Sequence, residues 1–185
     1  MPKTTILIAF AILLILSPAP AFSEQARIKN TLITNDKKDL TIYFYVDGSF
    51  TPKIEEAIQS GIPTTFIYRI HLYNKAGDTL GPQIKSRRIS HTIKYDPLRK
   101  DFTIIASEKK EAVVTQDFKK AKELMAGVDA FPLVHLDKLQ KDSQYSLQIK
   151  AELDTIKLPP PLNYLFFFAS YWDFETEWET VEFTY

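Results

Sequence analysis

The sequence contains no cysteine, which excludes disulfides, thiolate nucleophiles, sulfur-ligated metal and a lipidated anchor. Glycine is scarce: there are five, at turns and helix stops, and none builds a phosphate-cradling loop. Nucleotide binding is therefore disfavoured. Net charge is also missing, because 23 basic residues are matched by 23 acidic ones. No global field draws the chain toward nucleic acid or anionic lipid. Only three histidines, His71, His91 and His135, are available as bases or ligands, and no two have ligand-pair spacing within one element. Neither a metal site nor a cofactor is expected.

What is present begins with Lys3, an unbroken apolar run from Ile6 to Leu16, and Ser17-Pro18-Ala19-Pro20-Ala21. This is the pattern of a signal peptide over residues 1–21, with cleavage expected after Ala21. The run is shorter than the roughly 20 residues a bilayer-spanning helix needs, so no stable membrane span is expected after cleavage. The mature chain is then periplasmic or secreted. Residues 22–185 suit a single domain large enough to bury a core without covalent staples.

Alternation of period two marks the strands. Leu40, Ile42, Phe44 and Val46 alternate with polar or amphipathic neighbours. Phe66, Tyr68, Ile70 and Leu72 do so before a turn-rich stretch at Asn74–Asp78, closed by Gly81-Pro82. Ile89, His91, Ile93 and Tyr95 share a face of the next strand, which Asp96-Pro97 breaks. Phe102, Ile104 and Ala106 lead through Glu108-Lys109-Lys110, a hairpin turn, to Val113 and Val114. Phe131 to Leu139 is a strand whose Pro132 requires an edge or a bulge, and Tyr145 to Leu153 alternates most cleanly. Two short helices interrupt: Thr51-Pro52 caps one with Ile54, Ala57 and Ile58 inward and Gly61 as its stop. The second carries Phe118, Ala121, Leu124 and Met125, with Gly127 after it. Leu158-Pro159-Pro160-Pro161 is a stiff connector into an aromatic-rich, strand-like stretch from Tyr164 to Tyr185. The fold class expected is mainly β, an antiparallel β-sandwich of Ig-like architecture with two short helices.

No catalytic set is readable. A serine nucleophile needs a histidine held by a carboxylate. His71 reads as a solvent-facing strand residue, His91 as a core or rim residue, and His135 as structural. Charge is segregated instead: Lys85, Arg87, Arg88, Lys94, Arg99 and Lys100 form a basic stretch, whereas Tyr164–Tyr185 holds Asp173, Glu175, Glu177, Glu179 and Glu182 and no base. Two solvated strands, as neighbours exchanging ion pairs, would explain this. The sharper reading makes Arg87 and Arg88, with Phe167 and Trp172 from the aromatic run, a partner-binding surface.

The phrases EAIQSGIPTTFIYRIHLY, IKYDPLRKDFTI, DFKKAKELM, LPPPLNYL and SYWDFETEW occur in that order. On them the chain resembles an uncharacterised bacterial exported family, domain of unknown function 4390. The resemblance implies an exported protein with no assigned catalytic residues, and a binding role linked to envelope sensing. The function expected is thus a non-enzymatic periplasmic binding module with an envelope or periplasmic protein partner and no nucleic acid. A hydrolase whose site is assembled only in three dimensions and a purely structural envelope protein are the alternatives.

Overall fold

The computed structural model describes residues 25–154 and 174–185. Nine strands are described: β1 Arg27–Asn35, β2 Asp39–Asp47, β3 Thr64–Ala76, β4 Thr79–Asp96, β5 Asp101–Ala106, β6 Val113–Thr115, β7 Gly127–His135, β8 Gln144–Leu153 and β9 Glu179–Thr184. Helix α1 spans Pro52–Gln59 and α2 spans Phe118–Ala126. The strands form two antiparallel sheets, ordered β1-β2-β7 and β6-β5-β4-β3-β8-β9. The protein is mainly β, a sandwich in which one sheet curls as a half-barrel.

The alternating residues build one interior. Leu40, Ile42, Phe44 and Val46 of β2 face Phe66, Tyr68, Ile70 and Leu72 of β3, and Leu147, Ile149 and Ala151 of β8 extend that layer. All are buried, and each large aliphatic or aromatic side chain removed from water contributes about 1.5–3 kcal/mol. Both helices sit where the chain changes sheets. In α1 the Thr51 hydroxyl accepts from the Ile54 amide at 3.4 Å, Pro52 opens the first turn, and Ile54, Ala57 and Ile58 are buried. Gly61 then takes φ +81°, a conformation that side chains with a Cβ disfavour. In α2 the Asp117 carboxylate caps the amides of Lys119 and Lys120. Phe118 stacks on Phe102 of β5 at 4.9 Å between ring centres.

Three expectations change. The stretch at Asn74–Asp78 is largely strand: Lys75 pairs with Leu80 and Ala76 with Thr79, which leaves Gly77-Asp78 as the tip. Pro82 is tolerated within β4 because register shifts between Leu72 and Lys75 take its place out of the regular ladder. The strand expected at Phe131–Leu139 begins earlier, at Gly127, and ends at His135 in a tight turn over Leu136–Lys138. It is an edge strand of its sheet, as Pro132 requires. Finally, the basic strand β4 and the acidic strand β9 are not neighbours, since β3 and β8 lie between them. The acids find other partners: Glu182 pairs with Lys75 at 2.5 Å and Glu175 with Lys150.

Candidate functional site

A cleft of about 680 Å³ opens between the two sheets beside α2. Its walls are Tyr43, Phe44 and Tyr45 of β2, Ile104 and Ala106 of β5, Leu124 of α2 and Val128 of β7. Charged residues reach it mainly from the β5–β6 hairpin and from Glu123 and Asp129. Two backbone features shape it. Between Ile42 and Phe44 the β2–β7 register shifts, and Ala130 adopts φ +54°, so β7 bows away from its neighbour. At Gly127 an added Cβ would lie 3.0 Å from the Glu123 carbonyl oxygen and 3.8 Å from the Tyr45 ring, so glycine permits α2 to pass directly into β7.

His91 and Glu108 stand at the cleft. His91 lies on the inner face of β4, opposite Ala106 on one side and Phe66 on the other, and is 2% exposed. Glu108 follows β5 in the hairpin turn, where the Lys109 amide bonds to the Ala106 carbonyl at 3.0 Å. This turn folds the carboxylate inward: His91 Nε2 is 2.8 Å from Glu108 Oε1, with side chains 3% and 7% exposed. His91 Nδ1 lies 3.0 Å from the Met125 carbonyl oxygen, which also accepts from the Tyr68 hydroxyl. Met125 is in the last turn of α2, where carbonyls have no partner within the helix and carry partial negative charge. Tyr68 and His91 therefore cap that helix from the opposite sheet. Their rings pack edge-to-face at 5.0 Å, and Phe44 packs likewise on Tyr68 at 5.5 Å.

Proton placement follows from the partners. A backbone carbonyl can only accept, so His91 Nδ1 carries a hydrogen, and the second ring nitrogen shares one proton with Glu108. Burial pushes the Glu108 pKa up, but the hydrogen bond from His91 and its charge, with smaller help from its own backbone amide and Lys109, outweigh burial. The net direction is down, so Glu108 is held as a carboxylate bonded to His91 Nε2. Its second oxygen, Oε2, is buried and has no hydrogen-bond partner among the described residues. Burial pushes the Tyr68 hydroxyl well above its usual range, with Glu108 and Tyr45 adding in the same direction. Tyr45 is also raised, by burial first and then by Asp47 and Glu123. Across the mouth, Lys109 Nζ donates to the Asp129 carbonyl at 3.0 Å and ties the hairpin to β7.

The residues singled out from sequence sit elsewhere. Arg87 and Arg88 are both exposed on β4, but neighbouring strand residues point to opposite faces. Arg87 is opposite Ile70 and lines a hollow of about 350 Å³ with Lys85, His135 and Lys138. Arg88 is opposite Arg69 on the outer face, where Arg69 binds Glu152 at 2.6 Å. The structure does not bring the two arginines to one surface. Phe167 and Trp172 lie outside the described residues. Of the other histidines, His71 packs at a tilt against Trp178, 5.0 Å between ring centres, and His135, 70% exposed in its side chain, binds Asp39 at 2.6 Å. Sequence reading placed His91 inward and Glu108 in a turn but did not join them. The signal was there in principle, because His91 and Ala106 are cross-strand partners and Glu108 comes two residues later.

Among the described residues no helix is long and apolar enough to cross a membrane, and none of their His, Asp or Glu side chains gather into a metal-binding group. Fold and cleft define a two-sheet antiparallel β-sandwich with a buried histidine–glutamate pair at an apolar opening. A family model described as Domain of unknown function (DUF4390) matches residues 23–182, and the chain belongs to that family. No curated protein and no solved structure matches it.

Proposed function

We propose that the protein is a non-enzymatic module, exported to the periplasm by its amino-terminal signal, that binds a small apolar ligand in the cleft between its sheets. The carrying observation is an apolar-walled opening of about 680 Å³ beside the His91–Glu108 pair, within the roughly 300–1,000 Å³ typical of ligand pockets. Link to envelope sensing would then run through occupancy of this cleft, read by an envelope or periplasmic protein partner.

A histidine against a carboxylate in a cleft also suits a hydrolase, so the ring's lone pairs bear on the choice between the readings. A general base needs a free nitrogen aimed at a nucleophile. In His91 both nitrogens are engaged, one by a helix carbonyl and one by Glu108. Among the described residues, those lining the cleft include no serine or threonine. This supports binding over turnover.

The test uses 1-aminoanthracene, an apolar fluorescent reporter. It is expected to bind the purified protein at one site and to raise the melting temperature, by linkage of about 2.7 kcal/mol at a hundred times its Kd. Ala106→Trp, which fills the opening next to His91, is expected to abolish both effects. A reporter that fails to bind, or binds the filled variant equally well, overturns the proposal. Hydrolysis of short acyl esters dependent on His91 would instead establish the hydrolase reading. For the export component, the protein recovered from cells is expected to begin at Phe22.

A further inference from the structure

The unpaired oxygen of Glu108 says what kind of ligand the cleft takes, and the inference rests on the cleft reading above. Oε1 is occupied by His91, whereas Oε2 is shielded from solvent and has no partner among the described residues. A buried acceptor left without a donor carries a penalty, larger when it is charged. Glu108 itself lines the opening, and a donor seated there is the partner that this carboxylate lacks among the described residues.

Charge balance then selects the donor. Glu108 is already engaged by His91 through Oε1, and a ligand cation would lose its hydration against apolar walls. A ligand carboxylate would meet Glu108 as a like charge. A neutral hydroxyl faces neither obstacle. The walls fix the remainder of the ligand: Tyr43, Phe44, Ile104, Leu124 and Val128 offer apolar surface, and the Tyr45 hydroxyl stays protonated, so it adds no anion.

We infer that the cleft binds an uncharged amphiphile, an apolar chain or ring system bearing a hydroxyl that donates its hydrogen to Glu108 Oε2. The hydroxyl completes the hydrogen bonding of the buried carboxylate while the apolar body fills the space between β2, β5 and β7. Lys109, tied to Asp129 across the mouth, lies over the ligand's outer end.

Competition against bound 1-aminoanthracene tests this with four probes of equal chain length: decan-1-ol, decan-2-one, decanoate and decylammonium. Decan-1-ol is expected to displace the reporter at a concentration about tenfold or more below that needed for decan-2-one, the size expected for a hydrogen bond to a charged acceptor. Decanoate and decylammonium are expected to compete less well than the alcohol. In Glu108→Gln the amide oxygen can keep His91 and the NH₂ group faces the cleft, so preference is expected to move from the alcohol to the ketone. Should that variant not fold, the wild-type ratios alone decide. Equal displacement by all four probes, or a preference for either charged probe, overturns the hydroxyl inference and leaves the cleft reading standing. Absence of reporter binding, or equal binding to Ala106→Trp, removes the cleft reading and this inference together.

Discussion

His91 is held at three points: a carboxylate, a helix carbonyl and the edge of the Tyr68 ring. Removing Glu108 alone, as in Glu108→Ala, leaves buried His91 Nε2 without its hydrogen-bond partner. The expected loss is about 1–3 kcal/mol in urea unfolding. Replacing both partners by apolar residues, His91→Phe with Glu108→Leu, is expected to recover most of it, because desolvation of the pair offsets much of its attraction. The pH dependence follows from the lowered pKa of Glu108 in the fold. Its contribution is complete above the ordinary carboxylate value of 4.5 and is lost as pH falls through the lower native value. Unfolding at a series of pH values is expected to show this acid-side loss in wild type and a flatter profile in the apolar double variant.

At the scale of elements, α2 delivers Leu124 to the cleft and the Met125 carbonyl to His91, so its ends control the site. Asp117→Ala removes the cap and is expected to cost about 1 kcal/mol, with faster hydrogen exchange over Phe118–Ala126 and weaker reporter binding. Gly127→Ala is expected to cost about 1–3 kcal/mol, because the new Cβ presses on the Glu123 carbonyl at 3.0 Å. Both helices were legible in sequence because cap, apolar stripe and stop agreed, and β2, β3 and β8 were legible because their alternation is unbroken. β1 was not. At Asn30, φ is +55°, and the register jumps from Lys29 to Leu32, so Ile28 and Ile33 fall out of a simple period of two. The arginine pair shows a related effect. Adjacent residues look like one patch in sequence, yet a strand sends them to opposite faces. Arg87→Glu is therefore expected to affect only ligands of the hollow beside His135, and Arg88→Glu only those of the outer face.

Over the whole molecule, one interior joins both sheets and both helices, so damage at the centre is expected to unfold everything together. Ile42→Ala, at a fully buried position of β2, is expected to lose about 2–5 kcal/mol in a single cooperative transition seen alike by fluorescence and circular dichroism. The layered β architecture was readable because hydrophobic period and turn chemistry act locally. The cleft was not, because it depends on strand order and a register shift between residues far apart in the chain. His91, Glu108 and Met125 come from β4, a hairpin and α2, and only the packing of α2 across the sheets unites them. The most direct measurement is a titration of the isotope-labelled protein with decan-1-ol, followed by amide chemical shifts. Saturable changes centred on Tyr43–Tyr45, Ala106–Val113 and Glu123–Val128 are expected. Changes confined to the outer face around Arg88 or to the hollow at His135, or no change at all, would contradict a ligand site between the sheets.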